Sequence, residues 1–152
     1  MGSTGGPIIR YIFLSVFSLL LVTACRGNDL EQLTKDKFCY ECDLSGADLT
    51  GVNLRGAEIR RADLSRANLR GANLSEASLH LADLTGANLT DANLEEAKLE
   101  EANLTDANLT GADLRGANLY GVVGADFTGA LNVPAGALAM APGVQYFRDS
   151  FF

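Results

Sequence analysis

The chain has no tryptophan, a single histidine and only three cysteines in 152 residues. One imidazole, His80, leaves little material for nucleophilic catalysis, which sets a Ser, Cys or Thr beside a base. Zinc needs about four ligands, and they are not gathered anywhere along the chain. Cations are scarce: 12 Lys and Arg stand against 19 Asp and Glu, a net charge of -7 with a pI near 4.6. Phosphate binding needs a basic face, so this balance argues against a nucleic-acid partner. No glycine-rich phosphate loop follows a strand pattern, and no apolar run reaches the ~20 residues of a membrane-spanning helix. These absences point to a non-enzyme that needs no cofactor and no metal.

What the chain does contain begins with a processing pattern. Arg10 supplies positive charge, Tyr11 to Val22 is almost unbroken apolar sequence, and the small residues Thr23 and Ala24 precede Cys25. This is the order of a secretory signal: charged segment, apolar segment, small-residue cleavage site. Residues 26–36 are polar and read as a tether. Leu30 and Leu33 lie at helical spacing within it, which predicts a short helix.

From Leu44 to Leu119 the phrase Ala-(Asp/Asn)-Leu-x-x recurs without insertion or deletion. The large apolar position returns every fifth residue for sixteen units, fifteen of them Leu and one Ile59. Internal repeats take precedence over local propensity. A period of five suits neither helix nor strand. On a helix each Leu would drift ~140° from the last, and along a strand successive Leu would alternate faces. A solenoid resolves the conflict. If each unit forms one side of a coil, Leu and the Ala two before it point inward every time. The Asp or Asn between them points out, with a short polar side chain suited to bonding local backbone at a turn.

These residues resemble the pentapeptide-repeat family over roughly residues 39–121. The resemblance implies an all-β fold, a right-handed quadrilateral β-helix (solenoid) of about four coils, each of four units. Val22, Thr23, Ala24 and Cys25 likewise resemble the lipobox of bacterial lipoproteins. That implies lipidation of Cys25 as the first mature residue and a place in the cell envelope, outer membrane or periplasm-facing; by resemblance to sorting in Gram-negative envelopes, Arg rather than Asp at 26 leans towards the outer membrane.

Reading in steps of twenty separates the coil's sides. Ser45, Ser65, Thr85 and Thr105 form one outward column and Thr50, Arg70, Thr90 and Thr110 the next, both mostly hydroxylic. Arg55, Ser75, Glu95 and Arg115 form the third, and Arg60, His80, Glu100 and Tyr120 the fourth, flanked by Arg61, Leu81 and Glu101. The candidate interaction surface is therefore Arg55, Arg60, Arg61, His80, Leu81, Glu95, Glu100 and Glu101; the alternative is that these are merely solvated faces. The Asp43, Asp63, Asp83 column stacks like charges, which should cost a little stability.

Cys39 and Cys42 fall at a Leu and an Ala register of the first coil, so both should point inward. They read either as a disulfide, in keeping with export, or as two small buried thiols. After Leu119 the register slips: Phe127 comes eight residues on, and the segment 134–152 is rich in apolar residues. It is expected either to cap the last coil or to make a homodimer contact, with a short helix near residues 135–140.

The expected organisation is a signal peptide at 1–24, lipidated Cys25 and tether at 25–37, the β-helix at 38–133 and the cap at 134–152. The function this supports is a non-catalytic, lipid-anchored structural or protein-interaction scaffold of the cell envelope, joined to the membrane through its lipid and to a protein partner. The second reading, by resemblance to quinolone-resistance members of the family, is an acidic DNA mimic that binds a type II topoisomerase. The export signal and the Arg residues from 55 to 70 weigh against it.

Overall fold

The computed structural model describes residues 29–137. Cys25, the signal segment and the tail from residue 138 lie outside the described residues. Asp29–Asp36 form α1, the short helix expected from Leu30 and Leu33. Asp29 and Glu31 sit in its first turn and Lys35 in its last, the arrangement that the helix dipole favours. Lys37, in the left-handed region at φ 53°, ends it and donates its N–H to the Leu33 carbonyl at 2.9 Å, as αL caps do. The buried face carries Leu33, fully enclosed, which closes the core at its first end.

From Phe38 onward the chain winds as a coil whose backbone pairs with itself twenty residues later. Parallel bridges join Phe38 to Glu58, Asp43 to Asp63, Asp48 to Asn68 and Asn53 to Asn73, and the same step recurs as far as Asn103 and Val123. Twenty residues are four five-residue units, so each turn of the coil has four sides. Coils span 38–57, 58–77, 78–97 and 98–117, and a fifth, incomplete coil follows. Each side holds only a single bridge, because the chain turns before a longer ladder can form.

The interior is two kinds of column. Leu44 to Leu119 at five-residue spacing, with Ile59, are at most 6% exposed, and Ala47 to Ala117 at the register two earlier at most 8%. Each Leu contributes about 1.5–3 kcal/mol gross by leaving water, offset largely by the entropy of fixing the chain. The corners are reverse turns. Ala47 N–H donates to the Leu44 carbonyl at 3.0 Å, and Ala67, Ala87 and Ala107 repeat the bond to Leu64, Leu84 and Leu104. The residue before each Ala has φ near +60°, whether it is Gly46 or a residue with a side chain such as Arg61, Leu81 or Glu101. A bond between the first and fourth residues with positive φ at the third describes a type II turn.

The outward Asp and Asn side chains do what their chemistry suggests. Asp43 accepts from Ser45 N–H at 3.1 Å, Asp63 from Ser65 at 2.9 Å, Asn88 from Thr90 at 3.1 Å and Asn108 from Thr110 at 3.0 Å. The stacked Asp43, Asp63 and Asp83 are each turned to the residue two ahead, which offsets the repulsion expected between them.

The register slip after Leu119 is a shortened corner. Asn103 pairs with Val123 twenty residues on, but Asp113 pairs with Leu131, only eighteen on. Two residues are missing between them, and Gly111 donates to the Gly129 carbonyl at 2.8 Å. Phe127 thereby falls in the column of Leu109 and packs against the core. The coil thus continues past Leu119 to Leu131 before the chain leaves it at Pro134.

Candidate protein-interaction wall

Four outward walls result, and one differs from the rest. Its inward column is Cys39, Ile59, Leu79, Leu99 and Leu119. On the other walls the residue before the large apolar position is Asp or Asn from coil one to coil four. Here it is Phe38, Glu58, Ser78 and Lys98, with Asn118 only at the end. The Asp and Asn side chains that tie down the other walls are absent over four rungs, and larger groups stand in their place at Phe38, Glu58 and Lys98, with Ser at 78.

The exposed large apolar residues gather on this wall. Among the described residues, Phe38, Tyr40, Leu81, Tyr120, Val123 and Leu131 are the exposed large hydrophobics. Four of the six belong to this wall or its corner: Phe38 50%, Tyr40 51%, Leu81 36% and Tyr120 64% exposed. Val123 and Leu131 belong to the shortened fifth coil. Single exposed apolar residues are ordinary; four aligned on one side of a coil whose other walls are hydroxyl, amide and charge are not a random scatter.

Polar side chains link the rungs of this wall. Arg60 Nε lies 2.8 Å from Glu58 Oε2 and donates to Ser78 Oγ at 3.1 Å. His80 Nδ1 donates to the Glu100 carbonyl at 3.1 Å, and Asn118 Nδ2 donates to Glu100 Oε1 at 2.7 Å. At the corner, Arg61 lies 3.7 Å from Glu41. A depression of about 310 Å³ opens between Phe38, Tyr40, Glu58 and Arg60. The wall carries acids and bases in alternation rather than one sign.

Of the residues singled out from sequence, Arg60, Arg61, His80, Leu81, Glu100 and Glu101 come together on this wall and its corner. Arg55 and Glu95 lie on the adjacent wall, engaged in pairs: Arg55 with Glu76 at 2.6 Å and Glu95 with Arg115 at 3.6 Å. Phe38, Tyr40, Glu58 and Lys98 were not singled out: Tyr40 lies in the same column as Arg60 and His80, one unit before the first Leu at 44, and Phe38, Glu58 and Lys98 lie in the column before the large apolar position. The column before it carries the signal, a break in the Asp/Asn pattern.

Cys39 and Cys42 are joined by a disulfide in this structure, S–S 2.06 Å and Cα–Cα 5.5 Å, across the first corner of the same wall. Among the described residues no group of three or more His, Cys, Asp or Glu is placed to hold a metal ion. No helix among them is long and apolar enough to cross a membrane.

A family model for pentapeptide repeats matches in eight copies, over residues 39–75, 62–100 and 87–131. The chain belongs to the pentapeptide-repeat family. Proteins of this family form right-handed quadrilateral β-helices and are generally structural or interaction proteins rather than enzymes. Among solved structures, the chain is similar to alr5209, a pentapeptide repeat protein from Nostoc PCC 7120, at 39% identity, covering 67% of this chain and 90% of that one with a TM-score of 0.57. It is similar to HetL of Nostoc sp. strain PCC 7120, involved in heterocyst differentiation regulation, at 39% identity and TM-score 0.52, covering 58% of this chain and 40% of HetL. It is also similar to QnrB1, a plasmid-mediated fluoroquinolone resistance protein, at 31% identity and TM-score 0.54, covering 58% of this chain and 44% of QnrB1. The match thus spans less than half the length of HetL and of QnrB1. No curated protein matches the chain.

Proposed function

We propose that this protein is a non-catalytic scaffold of the cell envelope, held to the membrane by lipid on Cys25, and that the wall from Phe38 to Tyr120 is its protein-binding surface. The observation that supports the surface is the alignment of Phe38, Tyr40, Leu81 and Tyr120 on one wall. Exposed aromatic residues framed by charge are characteristic anchors of protein interfaces. The anchor rests on Val22, Thr23, Ala24 and Cys25 following an apolar run.

Two measurements test this. Metabolic labelling with a fatty acid, compared between wild type and Cys25→Ala, should label only the wild type and place it in the membrane fraction. A soluble, unlabelled wild type would remove the envelope part and favour the acidic topoisomerase-binding reading. Replacing Tyr40 and Tyr120 by Ser should reduce capture of binding proteins from envelope extracts while leaving the melting temperature unchanged. Capture equal to wild type would remove the wall as the binding surface.

A further inference from the structure

The wall is complementary to itself when one copy is turned upside down. Its five rungs run Phe38, Tyr40 and Glu41; then Glu58, Arg60 and Arg61; then Ser78, His80 and Leu81; then Lys98, Glu100 and Glu101; then Asn118, Tyr120 and Gly121. The bridges Phe38 to Glu58, Glu58 to Ser78, Ser78 to Lys98 and Lys98 to Asn118 keep these residues in vertical columns. Consider a two-fold axis lying across the middle rung, perpendicular to the coil axis. It reverses the order of the rungs and leaves each column facing itself. Arg60 then faces Glu100 of the second copy, Arg61 faces Glu101, Glu58 faces Lys98, and Tyr40 faces Tyr120. Leu81 and His80, on the central rung, meet their own counterparts.

We infer that this wall binds a second copy of the chain in an antiparallel, two-fold arrangement. The inference rests on the reading of the wall as the interaction surface and names its occupant. A two-fold interface requires that the patch be its own complement, and here Glu58 and Lys98, Arg60 and Glu100, and Arg61 and Glu101 are each opposite in sign across the middle rung, while Glu41, at the end of the corner column beside Arg61, faces the uncharged Gly121. Among the described residues of the single chain, the Glu100 carboxylate has only the Asn118 amide, while Glu101 and Lys98 have no ion pair. These three are the groups that the second copy's Arg60, Arg61 and Glu58 would meet. The central Leu81 gives the axis an apolar contact, and the tyrosines close both ends. Five rungs at ~4.8 Å make a wall only ~20 Å tall, so the contact belongs at the small end of specific interfaces and the dimer is weak in dilute solution. Tethering both copies to one membrane raises their effective concentration.

The test uses the full chain, purified in density-matched detergent and followed by sedimentation equilibrium from micromolar to millimolar concentration. Wild type should pass from monomer to dimer. Arg60→Glu with Arg61→Glu should abolish the dimer, and so should Glu100→Arg with Glu101→Arg. Mixing these two variants should restore a dimer containing one of each, since every facing pair is again opposite in sign. Arg60 and Arg61 also hold Glu58 and Glu41 within the chain, so a second variant guards against misfolding. Leu81→Asp brings two like charges to the axis at a corner position that Asp91 and Asp106 already occupy elsewhere, and it should give a folded monomer. A wild type that stays monomeric throughout overturns the inference. So does a dimer indifferent to all these changes, which would place the contact elsewhere, as at the tail beyond residue 137. A monomer whose Leu81→Asp variant also loses envelope proteins that the wild type captures would overturn the second copy as occupant and leave the interaction wall standing.

Discussion

Asn132 reaches back from the last partial coil and donates its side-chain amide to Asp113, one coil below, at 2.9 Å. Arg115 donates to the other oxygen of the same carboxylate at 2.8 Å, and its backbone N–H donates to the first at 3.0 Å. These bonds, Asn132 first, hold the Asp113 carboxyl at about 2, below its ordinary 3.8. A depressed carboxylate contributes stability that is complete above its unfolded value and disappears as pH falls through the folded one. The attachment of the fifth coil should therefore weaken between about pH 4 and pH 2. Hydrogen exchange at Gly111 and Leu131, whose amides bond across this junction, should accelerate through that window in wild type. In Asp113→Asn, which still offers an acceptor to Asn132 but has no proton to take up, the acceleration should be much reduced. Equal acceleration in both would assign the effect to other carboxylates, such as Asp126, whose pKa the Thr128 side chain also lowers.

Gly124 should be the least replaceable glycine of the coil. It stands at φ +70°, and a Cβ there would come within 2.8 Å of the Thr105 Cα. The obstacle is backbone, which cannot swing aside. Gly46, at φ +66°, has nothing among the described residues within 4 Å of the same position. Gly46→Ala should cost about 1 kcal/mol, the penalty of a left-handed backbone alone. Gly124→Ala adds overpacking and should cost about 2–4 kcal/mol, concentrated in exchange protection of the fifth coil. Urea denaturation of both variants measures the difference; equal midpoints would show that the corner relaxes freely.

The columns of this fold were legible in the sequence because the repeat keeps step without a break. Leu and Ala recur at fixed registers, and every inward residue from Leu44 to Leu119 is buried except Val52, which stands at an Ala position and is partly buried. The corners were less legible. Glycine signals a left-handed turn, but Arg61, Arg66, Glu76 and Leu81 adopt the same conformation because the bonds to the coils on either side dictate it, and no side-chain property announces that. The fifth coil was hidden by the loss of two residues, which moved Phe127 out of phase while keeping it in the core. The candidate wall was half legible. Arg60, His80, Glu100 and Tyr120 stood out in the column after each Leu, but Phe38, Glu58 and Lys98 lie in the column before it, where Asp and Asn elsewhere mask the exception.

Truncation of a central leucine should be costly and of a terminal one less so. Leu79 is fully buried and lies between Ile59 and Leu99 in its column. The coils on either side are held by backbone bonds at fixed spacing, so they cannot collapse into the gap. Leu79→Ala should cost about 3–5 kcal/mol, the upper part of the usual range. Leu119 is 6% exposed and has no leucine beyond it in its column, so Leu119→Ala should cost about 2 kcal/mol or less. Denaturant midpoints compared at constant slope decide this. Equal losses would mean that the last rung is as tightly enclosed as the middle one.

Reducing the Cys39–Cys42 bond should have a modest, local effect. The sequence separation is only 3, and loop-closure entropy makes a loop this short worth about 2 kcal/mol. Cys39 and Cys42 are buried where later coils carry Ile59 and Ala62, so the site keeps its apolar packing when the bond opens. Reductant should lower the wild-type unfolding free energy, read from the denaturation midpoint at constant slope, by no more than that amount and leave α1 docked through Leu33 and the bond from Asp43 N–H to Asp29 at 3.0 Å. The variant with Cys39→Ala and Cys42→Ala should show no response to reductant. If reduction instead releases the whole first coil, seen as lost exchange protection at Leu44 and Leu49, the disulfide holds the N-terminal end of the core closed, and α1 alone is an insufficient cap.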